Sequence, residues 1–280
     1  MALVQSNGAR LYVEETGSGY PIVFVHEFGA DHREWELQVR FFSRQYRCIT
    51  FNARGYPPSD VPESLDDYGW EQSRDDIAAV MRGLSITQAH IVGLSMGAYA
   101  TLQFGLRYPE LASALVVAGV GTGSPPHLRA NWRTQSEAQG REFFEQGIEA
   151  MAHATAHGPT RIQLLKKDPR AWQQFVEHFR EHSALGMGRT VSRYQALRPS
   201  LEESSAQLAQ LRLPVLLAVG DEDEPCLETN WFLKRTIRGA GLWVCPNTGH
   251  AINLEEPSAF NAAVSDFFGM VERGRWPSRV

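Results

Sequence analysis

One stretch constrains this chain more than any other: His90 to Tyr99, which reads His-Ile-Val-Gly-Leu-Ser-Met-Gly-Ala-Tyr. An apolar run stops at Gly93-Leu94-Ser95-Met96-Gly97 and a helical pattern begins at once. The G-x-S-x-G spacing suits a serine held on a sharp strand-to-helix turn. A Cβ two residues before or after that serine would crowd the tight backbone, and the serine is left strained and exposed. So short a pattern also arises by chance, so its meaning depends on partners elsewhere in the chain.

The 280 residues are 43% hydrophobic and 21% charged, enough to build one large domain with an insertion. A formal net charge of −5 argues against nucleic acid as a partner. The start, Met-Ala-Leu-Val-Gln-Ser-Asn-Gly, lacks the basic and apolar regions of a secretory signal, and no run is long enough to span a membrane. We therefore expect a cytoplasmic location, no membrane association and a small molecule as partner; a homodimer is allowed. Cys48, Cys226 and Cys245 are odd in number and lack metal-ligand spacing. They read as buried free thiols, and no metal or organic cofactor is expected.

Along the chain, β-like runs at 2–6 and 10–15 flank the hairpin signal Asn7-Gly8. Uninterrupted apolar runs follow at Ile22–Val25, Cys48–Phe51, Ala89–Val92, Leu115–Gly119 and Pro214–Gly220, with a shorter one at Leu242–Cys245. Such runs fit strands buried on both faces. Helical spacing occupies about 34–44, 70–84, 96–108, 230–237 and 258–268. The alternation predicts an α/β fold, a mostly parallel central sheet with helices on both faces. It lapses between about 121 and 212, where helical patterns at 142–150, 171–182 and 191–197 come with no convincing strand. We expect a core domain of 1–121 and 213–280 and a helical cap of 122–212. The cap carries more basic than acidic residues, which we read as solvated helix faces.

A serine hydroxyl needs a base to take its proton as it attacks, and histidine is the natural one near neutral pH. His250 is the best placed of the nine histidines, in a loop that leaves the last short strand. Loops at the carboxyl ends of parallel strands share one edge of the sheet. A carboxylate must then hold the imidazole in its tautomer. Gly220-Asp221-Glu222-Asp223-Glu224-Pro225 offers four acids after one strand. The loop Val120–Gly123 offers none, so the chain order is Ser…acid…His.

With these residues in place, the chain resembles the α/β-hydrolase-fold superfamily over nearly its whole length, in its helical-capped, esterase- or lactonase-like branch. The resemblance rests on the Gly93–Gly97 elbow, the Gly220–Pro225 acid loop and Gly249-His250 with Glu256-Pro257 after it. Val23-Phe24-Val25-His26 and Asn52-Ala53-Arg54-Gly55-Tyr56 add to it. It implies Asp223 as the acid, three residues after the strand-ending glycine, with Asp221 as runner-up. Two N–H donors should face the oxyanion of an acyl-transfer site. One is that of Met96, just after the nucleophile, and the resemblance implies Phe28 for the other.

The chain departs from the family pattern at Glu27, where His-Gly is usual, and at Asn52, where aspartate is common. Asn52 should affect loop packing. Glu27 puts a carboxylate near the pocket mouth, where it faces solvent, pairs with an arginine, or tunes specificity or a pKa. Trp132, Trp172, Met187 and Tyr194 join it as substrate-pocket candidates, although most cap aromatics should form the cap's own core. Cap histidines, including His178 and His182 at i, i+4 spacing, are expected on helix surfaces rather than on a metal.

The expected activity is hydrolysis of a small or medium carboxylic ester or lactone through an acyl-enzyme on Ser95, with His250 as base and Asp223 orienting it. Cleavage of carbon–carbon bonds in ring-cleavage products is the second reading, and Ala251 and Glu27 fit it poorly. A receptor-like ligand-binding protein with little turnover is the third. A serine in the elbow excludes the aspartate-dependent dehalogenases and epoxide hydrolases of this fold.

Overall fold

The computed structural model describes residues 1–276; the last four residues of the expected 213–280 segment lie outside them. The Asn7-Gly8 turn joins β1 (Ala2–Ser6) to β2 (Ala9–Thr16), followed by β3 (Tyr20–Val25), α1 (Glu36–Phe42), β4 (Tyr46–Phe51) and α2 (Trp70–Gly83). The central run becomes β5 (Ala89–Leu94), every residue of it buried, and leads into α3 (Met96–Arg107) and β6 (Ala112–Ala118). Helices then succeed one another: α4 (Arg129–Ala156), α5 (Ile162–Lys167), α6 (Pro169–Arg180), α7 (Ala184–Arg189) and α8 (Ser205–Gln210). The sheet resumes with β7 (Val215–Gly220), α9 (Glu224–Thr236) and β8 (Ala240–Cys245), and α10 (Ile252–Glu255) and α11 (Pro257–Glu272) close the described chain.

The eight strands lie in the order β1-β2-β4-β3-β5-β6-β7-β8. Only β1–β2 and β2–β4 pair antiparallel; the remaining pairs are parallel, as the uninterrupted apolar runs predict. Because strand side chains alternate between faces, each run feeds two cores. Val23, Ile49, Ile91 and Leu115 pack with Ile77, Val80 and Leu102 of α2 and α3. Ile22, Phe24, Val92 and Val116 pack with Phe42 of α1 and with Phe260, Val264 and Phe267 of α11.

Some elements differ from expectation. The helix expected at 34–44 is a 3-10 turn, His32–Trp35, before α1. The helix expected at 230–237 starts at Glu224, since Pro225 in its first turn costs no hydrogen bond. That places the tail of the acid loop on a helix. α4 extends from 129 through a break at Gly147, where φ is 76° and ψ 176°. The break shifts the apolar face and masks the helical period. The expected 191–197 helix is a π-helical turn, Thr190–Gln195, continuing α7. The short helices α5 and α8 gave no periodic signal.

A buried ion pair ties one end of the sheet together. Arg54 Nε and Nη2 donate to Asp76 Oδ2 and Oδ1 at 2.8 and 2.6 Å, and the side chains are only 3% and 1% exposed. Arg54 also donates to the carbonyls of Asn7 and Asp67, and Ser6 Oγ donates to Asp76. The pair thus joins the first hairpin, the loop after β4 and α2. Asp76→Ala would strand the guanidinium in the interior and should cost about 3–5 kcal/mol. Urea unfolding of the two proteins measures this, and a loss below about 1 kcal/mol would show that water reaches the pair.

Candidate functional site

Ser95 sits where β5 turns into α3, with φ 52° and ψ −111°. Its strain is held on both sides: Ser95 N–H donates to the Ala118 carbonyl at 2.8 Å, and Ser95 O accepts from Tyr99 N–H at 3.0 Å. The flanking glycines are steric requirements. A Cβ on Gly97 would lie 2.2 Å from the Val25 carbonyl oxygen, and one on Gly93 would lie 2.4 Å from the Gly97 carbonyl oxygen. Both are far inside van der Waals contact, so the turn closes only without those side chains.

The structure brings His250 and Asp223 together. His250, in the loop between β8 and α10, has Nδ1 2.8 Å from Asp223 Oδ2, and both side chains are nearly enclosed. Asp221 faces elsewhere and accepts the Thr248 N–H at 3.1 Å, which shapes the histidine loop. Burial alone would depress the imidazole, but Asp223 outweighs it and holds His250 well above the ordinary histidine range. Cys226 Sγ lies 4.0 Å from the same Nδ1, and burial pushes its thiol up. Asp223, Cys226 and His250 have donor atoms within 4.8 Å of one another. With Nδ1 engaged by the carboxylate and the thiol held protonated, we read them as a hydrogen-bonded cluster and not as a metal site. All three cysteines are free and buried.

Among the described residues, the N–H groups of Phe28 and Met96 donate to no protein acceptor. The Met96 carbonyl accepts from Tyr194 Oη at 2.6 Å, so the π-helical turn is fastened to the first residue of α3. The Phe28 ring meets Phe143 of α4 edge-on at 6.0 Å. The loop carrying Phe28 is pinned by His26, whose Nε2 accepts the Ala53 N–H at 3.0 Å while Nδ1 lies 2.7 Å from the Glu27 carbonyl. An Nε2 that accepts leaves Nδ1 as the donor, and burial lowers the pKa of His26 and keeps it neutral.

Glu27 does not face solvent. Its side chain is 3% exposed, with Oε1 2.5 Å from Arg161 Nη2 and Oε2 3.6 Å from His250 Nε2. Arg161, at the N-terminal edge of α5, is itself buried, with its guanidinium 4.3 Å from the centre of the Phe175 ring. Burial would raise the Glu27 pKa, but Arg161 and His250 together bring it below the usual range. Neighbouring Glu34 accepts the Glu27 N–H at 3.1 Å. Burial and then the Glu27 charge push Glu34 well above its ordinary range, so it stays protonated. Neither Arg161 nor Glu34 carries a short-range signal in the sequence; their relevance comes only from the tertiary approach to Glu27.

The other pocket candidates lie in the helical segment, half-buried at Trp132 and Trp172 and buried at Met187 and Tyr194. Trp132 Nε1 donates to the Gln195 carbonyl and Trp172 Nε1 to that of Ala156, both at 2.8 Å, within the helical segment. Met187 is fully enclosed. Tyr194 reaches the site through Met96. Two small cavities of about 10 Å³ each lie beside Met96 and Tyr194. A larger cavity of about 420 Å³ lies on the far side of Glu34, between α1 and α6.

One histidine departs from the expected surface position. His182 is buried under the loop after β3, 4.0 Å from Asp31 Oδ2 and edge-on to Tyr56 at 5.1 Å. Its period placed it on a helix, but α6 ends at Arg180 and the chain turns His182 inward. Burial lowers its pKa to about 4.

Residues 22–263 match a family model described as the alpha/beta hydrolase family. An AB hydrolase superfamily protein, YisY, from Bacillus subtilis is 27% identical over 270 residues, covering 92% of this chain and 94% of the relative. A 3-oxoadipate enol-lactonase from Acinetobacter baylyi is 26% identical over 246 residues, covering 87% and 86%. Among solved structures, a hydrolase from Pseudomonas aeruginosa superposes with a TM-score of 0.83 at 23% identity, covering 96% of this chain and 98% of the other. An enol-lactonase from Burkholderia xenovorans reaches the same TM-score at 20% identity, covering 96% and 100%. At those identities the superpositions speak for the fold alone.

The buried His182 has a consequence for stability. The unfolded chain binds its proton near pH 6.5 and the folded chain near 4, so stability falls as pH drops between those values. The shift corresponds to about 3 kcal/mol across the window. In urea unfolding, the difference in stability between pH 7 and pH 4.5 should shrink by about 2–3 kcal/mol in His182→Phe. An equal pH slope in both proteins would exclude His182 as its source.

Proposed function

Since the chain belongs to the alpha/beta hydrolase family, we propose that it is a serine hydrolase cleaving a small or medium carboxylic ester or lactone through an acyl-enzyme on Ser95. The observation that carries this reading is the His250–Asp223 bond of 2.8 Å at the sheet edge where Ser95 is held in its strained turn. The curated enol-lactonase relative, which aligns along most of its own length, supports the choice of substrate class.

In this mechanism Ser95 Oγ attacks the carbonyl carbon as His250 Nε2 takes its proton. Asp223 holds Nδ1–H and stabilises the imidazolium that forms. The N–H groups of Phe28 and Met96 receive the oxyanion, Met96 at the positive end of α3. His250 then hands its proton to the leaving group; in deacylation it takes a proton from water as the water oxygen attacks the acyl carbon, and returns that proton to Ser95 Oγ as the bond to Ser95 breaks. We read 122–212 as the cap that closes over this site. The Tyr194–Met96 bond fastens that segment to the first residue of α3.

p-Nitrophenyl acetate and butyrate should be hydrolysed, and Ser95→Ala should lose about 10⁴-fold or more in kcat. An alkyl phosphonate ester should label the wild type with one adduct, located on Ser95 by peptide mass spectrometry. Turnover that survives Ser95→Ala, or labelling elsewhere, would reject the reading. Ligand-induced thermal stabilisation without any turnover would favour the receptor-like alternative.

A further inference from the structure

A triad histidine ordinarily has one carboxylate, on Nδ1, and an open Nε2 side. Here a second carboxylate stands on the Nε2 side. We propose that Glu27 is a positioning residue that holds His250 from the nitrogen opposite Asp223, and that Arg161 of the helical segment holds Glu27 in turn. This deepens the reading of Ser95, His250 and Asp223 as a catalytic triad and rests on it.

Three observations carry the proposal. Glu27 Oε2 lies 3.6 Å from His250 Nε2, and both side chains are almost fully enclosed. Glu27 Oε1 lies 2.5 Å from Arg161 Nη2, with the guanidinium equally enclosed, so the carboxylate has a buried cationic anchor. The Glu27 backbone is fixed as well, its N–H bonded to Glu34 and its carbonyl in contact with His26. A carboxylate buried at such cost stays ionised only if its partners offset the lost hydration. Here those partners are Arg161 and the imidazolium form of His250.

The groups around His250 come from several elements. Asp223 and Cys226 approach Nδ1 from the start of α9, and Glu27 approaches Nε2 from the loop after β3. Glu34 stands behind Glu27, and Arg161 comes from the edge of α5. Glu255 of α10 accepts the N–H groups of Gly249 and Ala251 on either side of the histidine. Lys167 donates to Glu256 and to Thr248 Oγ1 in the histidine loop. Among the described residues, Glu27 is the carboxylate that stands on the Nε2 side, at 3.6 Å.

This arrangement changes what His250 does in each half of the cycle. A carboxylate on either nitrogen favours imidazolium, so the neutral base appears at higher pH than with Asp223 alone. Once Ser95 has given up its proton, the same carboxylate stabilises the imidazolium and its Nε2–H. Arg161 moderates the effect by drawing charge toward Oε1. Because it belongs to the helical segment, the seating of that segment reaches the base through one ion pair.

The test is a titration of His250 in the full-length protein, by ¹³C-edited NMR of its ring C–H, in the wild type and Glu27→Gln. The His250 midpoint should fall by about one pH unit or more in the variant. Glu27→Gln/Arg161→Gln, which removes both buried charges, covers the case in which the single variant does not fold, and its midpoint should fall too. The acidic limb of kcat/KM for p-nitrophenyl butyrate should move down with the midpoint. A midpoint unchanged in whichever variant folds overturns the proposal, whatever the activity. A shifted midpoint with no ester turnover or Ser95 labelling in the wild type would instead reject the hydrolase reading and leave Glu27 acting on His250.

Discussion

Gly97 passes so close to the carbonyl oxygen of Val25 that a methyl group there would overlap it, and the site depends on that approach. β3 and β5 are parallel neighbours, and the two backbones meet at their carboxyl ends. One then turns into α3 while the other enters the loop carrying Glu27 and Phe28. Had either glycine of the elbow carried a side chain, α3 would be pushed away and Ser95 would relax out of its positive φ. The strain at Ser95 is therefore maintained by packing several residues away, with Ala118 and Tyr99 bonding its backbone on either side. Strain of this kind persists only where the surroundings over-determine it.

Much of this was legible in the sequence because it is local. The elbow is a five-residue pattern, the sheet is a series of apolar runs, and the helices behind β5 and β8 have clear periods. The loop Gly220–Pro225 narrowed the acid to a few neighbours. It could not choose among them, because Asp221 and Asp223 differ only in which way the chain turns before α9. The family resemblance selected Asp223, and it is the one bonded to His250. The helical segment was less legible for an equally physical reason. Its helices are short, broken at Gly147 or continued as a π-helical turn, and each of these erases the 3.6-residue period.

Glu27, Arg161 and Glu34 show where local reading stops. Glu27 was visible as a departure from His-Gly, and pairing with an arginine was one of its expected fates. Nothing near it in the chain says which arginine, or that the carboxylate would turn toward His250. Charged residues are almost never enclosed unless paired, and a pair drawn from distant elements leaves no pattern at fixed spacing. His182 is the same case, with Asp31 and Tyr56 as its distant neighbours.

These buried charges also bear on how the helical segment sits. Apolar seats such as Phe28 on Phe143 add area without fixing direction. Tyr194 on Met96 and Arg161 on Glu27 are polar contacts that act over short distances. Both land on the loop after β3 or on the first residue of α3, the backbone that flanks Ser95. A segment held at these points cannot slide over the site while keeping its polar contacts; it must release them to move. Release would expose a carboxylate, a guanidinium and a tyrosine hydroxyl, each able to regain hydrogen bonds from water or from an entering polar substrate. The cost of opening is therefore partly returned by hydration, whereas a wholly apolar seat would return nothing. A seat built this way is specific when closed and still able to open.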